Sequence, residues 1–232
     1  MTIELKFMPE KSESEELRSK LFGIFEDRNK AVAKWFGVEP KNPKINVCVS
    51  KGMVASKIDP GAQGLGTFAG YSSMFDEIFI VNPIGVAPIF GDNLDKQILI
   101  FIDYCFVKYY LKQIYFPEQK DFKLYHKYVS DALAKVVSGN YQSEIVKNNV
   151  KYGFGIRPFK KDQELEIVFH IMLEKSGLNY IFEHLPKIME DLDIKKTIFT
   201  IYKKSFNDLV GQFKKEMDDY EKEMKLKVGR RR

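Results

Sequence analysis

Residues 95–115 read DKQILIFIDYCFVKYYLKQIY. This apolar run is too long for a strand, so it predicts a buried helix. It also divides the chain. Upstream, the β-branched stretch 44–50 and the stretch 77–81 predict strands, the second closed by Asn82-Pro83. Pro- and Gly-rich residues 82–92 predict a loop. Downstream, helical spacing prevails. Over 126–138, Val129, Ala132, Leu133, Val136 and Val137 stand at i, i+3, i+4, i+7 and i+8, and Gly139-Asn140 stops the run. Further helices are expected over 164–175, ending at Ser176-Gly177, over 178–192 with Pro186 as a kink or break, and over 205–227 with Ser205 as cap. Ahead of the strands, residues 12–36 predict an amphipathic helix capped by Ser12 or Ser14.

The fold class that follows is α+β: a small N-terminal mixed β-sheet, then a mainly helical C-terminal half. The expected organisation is an N-terminal helix and linker over 1–43, one domain over 44–228 with strands to 94 and helices from 95, and a basic tail over 229–232.

Composition narrows the function classes. The 232 residues carry 37 Lys and Arg against 32 Asp and Glu, an excess too mild and too mixed for a nucleic-acid-seeking surface. The tail Arg230–Arg232 is the one cluster that makes weak nucleic-acid binding an alternative. Cys48 and Cys105 each sit in an apolar run, which predicts buried free thiols and no disulfide framework. The N-terminus lacks the form of a signal peptide and no apolar stretch reaches membrane-spanning length, so the expected location is the cytoplasm and no membrane partner is expected.

Three groups of residues could carry chemistry. Gly64, Gly66 and Gly70 loosely suggest a phosphate loop, but a strand follows them where a phosphate site needs a helix N-terminus. His126, His170 and His184 have no partner His at i+4; His126 with Asp131 offers two metal ligands, and nothing fixes a third. The third group lies on the helix over 95–115. At ~100° per residue, Tyr104, Lys108 and Lys112 share a stripe, whereas Asp103 falls beside Leu99, Phe106 and Tyr110. A carboxylate on an apolar flank needs a partner. The expectation is a Tyr or Lys pairing, or else a cleft acid that grips a ligand. Asp131 lies opposite the apolar stripe of its own helix, a position that suits a cleft and open solvent equally.

The pair of segments 101–111 (FIDYCFVKYYL) and 128–139 (YVSDALAKVVSG) resembles the two metal-binding helices of gluzincin zinc metallopeptidases. The first resembles the HExxH helix, with Tyr104 matching the Tyr that often follows the Glu. The second resembles the downstream helix that supplies the third ligand, with Ala134 matching the Ala of its "EGLA" and Val137-Ser138-Gly139 matching its exit. Weaker similarity covers about residues 44–220. Carried over, the first zinc His falls on Ile102, the general-base Glu on Asp103, the second zinc His on Phe106 and the third ligand on Asp131. Ile and Phe offer a metal no lone pair, so the resemblance implies a pseudopeptidase with no catalytic residue, no metal ligand and no cofactor. Its remnant positions are Ile102, Asp103, Phe106 and Asp131, with Tyr104, Tyr128 and His126 as cleft neighbours. The function it implies is binding of a peptide or protein partner, in part through the edge strand of the sheet. The alternative is a non-zinc enzyme using Asp103 and Asp131 in a remodelled cleft.

Overall fold

The computed structural model describes residues 3–9, 14–58, 68–118, 124–139, 161–190 and 193–229. It is α+β, and it divides into two compact units, Met1–Ser138 and Gly139–Arg232. The division therefore falls after the second of the paired helices and not at residue 43. Residues 14–36 belong to the same unit as the sheet.

The first unit opens with β1 (Glu4–Met8), α1 (Glu15–Phe36) and β2 (Lys44–Cys48). Ser14 caps α1 by accepting from the Leu17 N–H, and Gly37 ends it at φ 65°, a left-handed conformation that favours glycine. A one-turn helix, α2 (Lys51–Ala55), follows β2, with Ser50 as its cap and not part of the strand. Then come β3 (Ala69–Ser72) and β4 (Glu77–Val81). The four strands lie in the order β1-β2-β4-β3, parallel except for β3, so the sheet is mixed. Residues 83–90, expected as loop, form α3 (Pro83–Phe90), and a 3₁₀ turn (Gly91–Asn93) leads into α4 (Leu94–Tyr115). The unit ends with α5 (Leu124–Val137).

Register sorts the strand residues onto two faces. Ile45, Val47, Ile78, Ile80 and Tyr71 share one face, where the Tyr71 ring meets Tyr109 of α4 edge-on at 5.9 Å. On the other face, Cys48, Phe79 and Val81 pack with Val54 of α2 and with Ile58. α4 is the core helix: from Ile100 to Lys112 every side chain is buried. Phe106 meets Phe25 of α1, and Tyr110 stacks on Phe36. Both cysteines are free and buried. Burial pushes the Cys48 thiol up to about 11 against the pull of Lys57, and pushes Cys105 above the ordinary thiol value as well.

The second unit holds α6 (Lys161–Glu190), α7 (Ile194–Tyr202) and α8 (Phe206–Gly229). The expected break at Ser176-Gly177 is present: Gly177 stands at φ 79°, ψ 173°, between two helical stretches. Pro186 lies inside the second stretch, whose Ile181, Leu185 and Ile188 are fully buried. Ser205 caps α8 by accepting from the Asp208 N–H at 3.1 Å. His170 is buried, its Nε2 3.0 Å from Glu174 Oε1 and its ring against Phe213. His184 Nδ1 lies 3.0 Å from the Tyr180 carbonyl within the same helix. Arg230–Arg232 and residues 59–67, which include Gly64 and Gly66, lie outside the described residues.

Gly70 is held by close approach. A Cβ there would fall 2.6 Å from the Ile58 Cγ2 methyl, in a packed layer. Gly70→Ala is expected to cost ~1–3 kcal/mol of unfolding free energy, and clearly less in an Ile58→Ala background. Urea unfolding of the four chains checks this; equal costs in both backgrounds would show that Ile58 is not what excludes the methyl.

Candidate functional site

The two segments that carry the resemblance lie on helices that pack together, α4 and α5. Their candidate residues nevertheless diverge over the faces of α4. Ile102 and Phe106 are 1% and 0% exposed, so hydrocarbon fills both positions. Asp103 faces α1, whose Arg28 donates from Nε at 2.7 Å and from an Nη at 2.6 Å. This is a two-pronged guanidinium–carboxylate pair, and it corrects the expected Tyr or Lys partner. Arg28 also lies over the Trp35 ring, 5.7 Å from its centroid. Burial pushes the Asp103 carboxyl above its ordinary value, and the hydrogen bonds and charge of Arg28 pull it part of the way back.

Asp131 faces the stripe that holds Tyr104 and Lys108. The Tyr104 hydroxyl donates to Asp131 Oδ1, Lys108 Nζ lies 3.4 Å from the same oxygen, and Lys135 Nζ lies 2.9 Å from Oδ2. Asp131 is therefore neither in plain solvent nor free in a cleft. Burial acts to raise its carboxyl, but the two ammonium groups and the Tyr104 hydroxyl outweigh that and hold it below the usual carboxylate range. Tyr104 and Asp131 are brought together; Asp103 is not brought to them. Tyr128 is 49% exposed. His126 lies in the first turn of α5, and its side chain is outside the described residues.

A second polar network ties α4 to the connection after α1. Tyr110 donates to Asn29 Oδ1 at 2.7 Å and accepts from the Lys41 N–H at 2.9 Å, while Asn29 donates to the Lys41 carbonyl at 2.8 Å. Among the described residues, no three His, Cys, Asp or Glu side chains gather closely enough to hold a metal ion.

Two open features lie elsewhere: the sequence reading expected an edge strand to bind but did not place β1, which is too short to announce itself, and it did not foresee the cavity. The first is the outer edge of β1. The ladder runs Glu4 N–H to Pro43 O and Val49 N–H to Met8 O, so Glu4, Lys6 and Met8 bond inward to β2. Leu5 and Phe7 consequently turn their N–H and C=O outward, with no partner among the described residues. The second is a cavity of about 360 Å³ over the polar half of the sheet. Lys6, Lys44, Asn46 and Glu77 of the strands contribute to its lining, with Lys57 and Phe75 from the connections. Within its lining the Asn46 amide donates to Glu77 Oε2 at 2.8 Å, and the Phe75 ring meets Phe79 edge-on at 6.2 Å.

The Asp131 cluster carries a signed pH dependence. Its folded carboxyl holds its proton less tightly than the unfolded one. The stabilisation is thus complete above the ordinary value near ~4 and is lost as the pH falls through the depressed folded value. At pH 7, Asp131→Asn leaves the buried Lys108 without its carboxylate and is expected to cost about 3 kcal/mol. That deficit should shrink towards pH 3, as read by urea unfolding across the pH range. A deficit independent of pH would contradict the assigned charge state.

Comparison with family models, with curated proteins and with solved structures finds no match for this chain.

Proposed function

We propose that this chain is a non-catalytic, pseudopeptidase-like binding protein that captures an extended polypeptide segment along the outer edge of β1, which has no partner strand among the described residues. The observation that carries the reading is the row of outward main-chain groups at Leu5 and Phe7, which offers a partner strand ready hydrogen bonds. The side chains of β1 define what pairs well. Leu5 is half-buried and Phe7 buried on the core face, while Glu4 and Lys6 are exposed on the other. A segment with apolar residues opposite Leu5 and Phe7 and an acid opposite Lys6 complements both faces. Lys6 and the Pro9 that follows the strand act against indiscriminate pairing.

The state of the remnant positions supports the absence of catalysis. Ile102 and Phe106 are core residues, Asp103 is bound by Arg28, and Asp131 is bound by two lysines and a tyrosine. The two acids point to different partners on different sides of α4, which leaves the non-zinc enzyme alternative without an acid–base pair. No described helix is long and apolar enough to cross a membrane. Two free buried thiols suit the reducing cytoplasm as the place of action.

Leu5→Pro is the discriminating variant. It deletes an outward N–H without removing a rung of the β1–β2 ladder, and proline is tolerated on an edge strand. Selection from a random dodecapeptide display library is expected to yield alternating apolar and acidic peptides. These should protect the Leu5 and Phe7 amides from hydrogen exchange and bind Leu5→Pro at least ~10-fold more weakly, a loss of about 1.4 kcal/mol. Peptides that bind the variant equally well, or a library that yields none, sink the reading. So does a wild-type dimer that Leu5→Pro dissociates, because the occupant of the edge is then a second copy of the chain.

A further inference from the structure

We infer that the cavity over the polar half of the sheet is a binding site for a small aromatic acid, a planar ring bearing a carboxylate. This rests on side chains other than the β1 main-chain edge and stands or falls separately from the peptide reading.

The register divides the cavity into two rows. Glu4, Lys44 and Glu77 stand side by side across β1, β2 and β4, so one lysine lies between two carboxylates. The next row is Lys6, Asn46 and Phe79, with no acid in it. Lys57, which follows α2, also lines the cavity, and its Nζ lies over the Phe75 ring, 5.7 Å from the centroid. Neither Lys6 nor Lys57 has a carboxylate within ion-pair distance among the described residues. The register therefore sets the acids of the strands in the first row, where Glu77 accepts from the Asn46 amide, and leaves the second row with a lysine and no acid.

The apolar part of the lining sets the rest of the ligand. Phe75 is 49% exposed at the rim, next to Met74, which is 76% exposed. Phe79 is 3% exposed and lies deeper, with Met8 on the same face of the sheet. A volume of about 360 Å³ is at the small end of ligand pockets and accommodates one or two fused rings. A ring held against Phe75 and Phe79 gains apolar contact and an offset or edge-on aromatic pairing. Its carboxylate then meets Lys6 and Lys57, which form no ion pair among the described residues. A cationic ring of the same shape meets the same two lysines and is repelled, which gives the site its sign.

The probe is 2-naphthoate, titrated into the full chain and followed by its fluorescence and by backbone NMR shifts. Saturable binding of one molecule per chain is expected, with shifts centred on Asn46, Lys57 and Phe79. Lys6→Ala and Lys57→Ala together should weaken it about tenfold or more, and Phe75→Ala should weaken it independently. Raising the salt should weaken binding to the wild type and much less to the double variant. Thermal unfolding confirms that each variant is folded; Lys6 and Phe75 are exposed, so their loss disturbs no core. The naphthylmethylammonium ion should not bind. Absence of saturable binding below ~1 mM, shifts elsewhere than the cavity, equal binding of the cationic ring, or lysine variants that bind as tightly as wild type would each overturn the assignment. Unchanged naphthoate binding in Leu5→Pro separates this site from the β1 edge.

Discussion

A helix buried on all sides must satisfy every polar group it carries from its neighbours, and α4 carries several. Asp103, Lys108 and Lys112 are each 7% exposed or less. Left unpaired, any of these charges would cost several kcal/mol. Each instead finds a partner. Asp103 reaches Arg28 of α1, and Lys108 reaches Asp131 of α5. Lys112 donates to the Phe116 carbonyl at 2.7 Å, where the helix leaves its last carbonyls open. Tyr110 adds the tie to Asn29 and Lys41. Apolar packing alone would let α1 and α5 slide along α4 at little cost. These directional pairs fix one register for each, which is the best-attested use of buried charge.

That requirement also governs what the acids can do. A carboxylate that serves as general base needs a lone pair free to take a proton and a place beside it for the reacting molecule. Asp103 spends both oxygens on one guanidinium, and Asp131 spends both on lysines and a tyrosine. The acids that a gluzincin resemblance sets at the centre of chemistry here act as ties between helices. Among the described residues, the cavity and the outward main-chain groups of β1 lie instead on the sheet, over the face that α4 does not cover and along its edge.

Much of this fold was legible because long helices repeat their signal. The run 95–115 gave α4 within a residue, Ser14 marked the start of α1, and Gly139 and Gly177 marked stops, both at positive φ. The short elements were not legible. β1 is five residues with charges at its first and third positions, and β3 is Ala-Gly-Tyr-Ser, which has little strand propensity and is placed by pairing with β4. Residues 83–90 look like loop because of their prolines and glycine, yet Pro83 occupies the first helical turn, where its missing N–H costs nothing. At the candidate site, local spacing flagged Asp103 as an acid on an apolar flank. Its partner, Arg28, is 75 residues away, and no local pattern encodes that distance.

The openness of the sheet follows from the same economy of short elements. α2 has five residues and so spans about 7.5 Å, roughly half the length of the strands beneath it. It covers Cys48, Phe79 and Val81, and with them the C-terminal half of the parallel strands. The N-terminal half changes character within one register step, from Met8, Cys48 and Val81 to Lys6, Asn46 and Phe79, and then to Glu4, Lys44 and Glu77. A face selected only to meet water has no need of aromatic rings in that middle row. Phe79 reaches under it from the core, and Phe75, 49% exposed at its rim, carries an apolar cost in water that the charged row does not explain. The pairing of Phe75 and Phe79 with lysines that form no ion pair among the described residues is what distinguishes this surface from an ordinary solvated sheet.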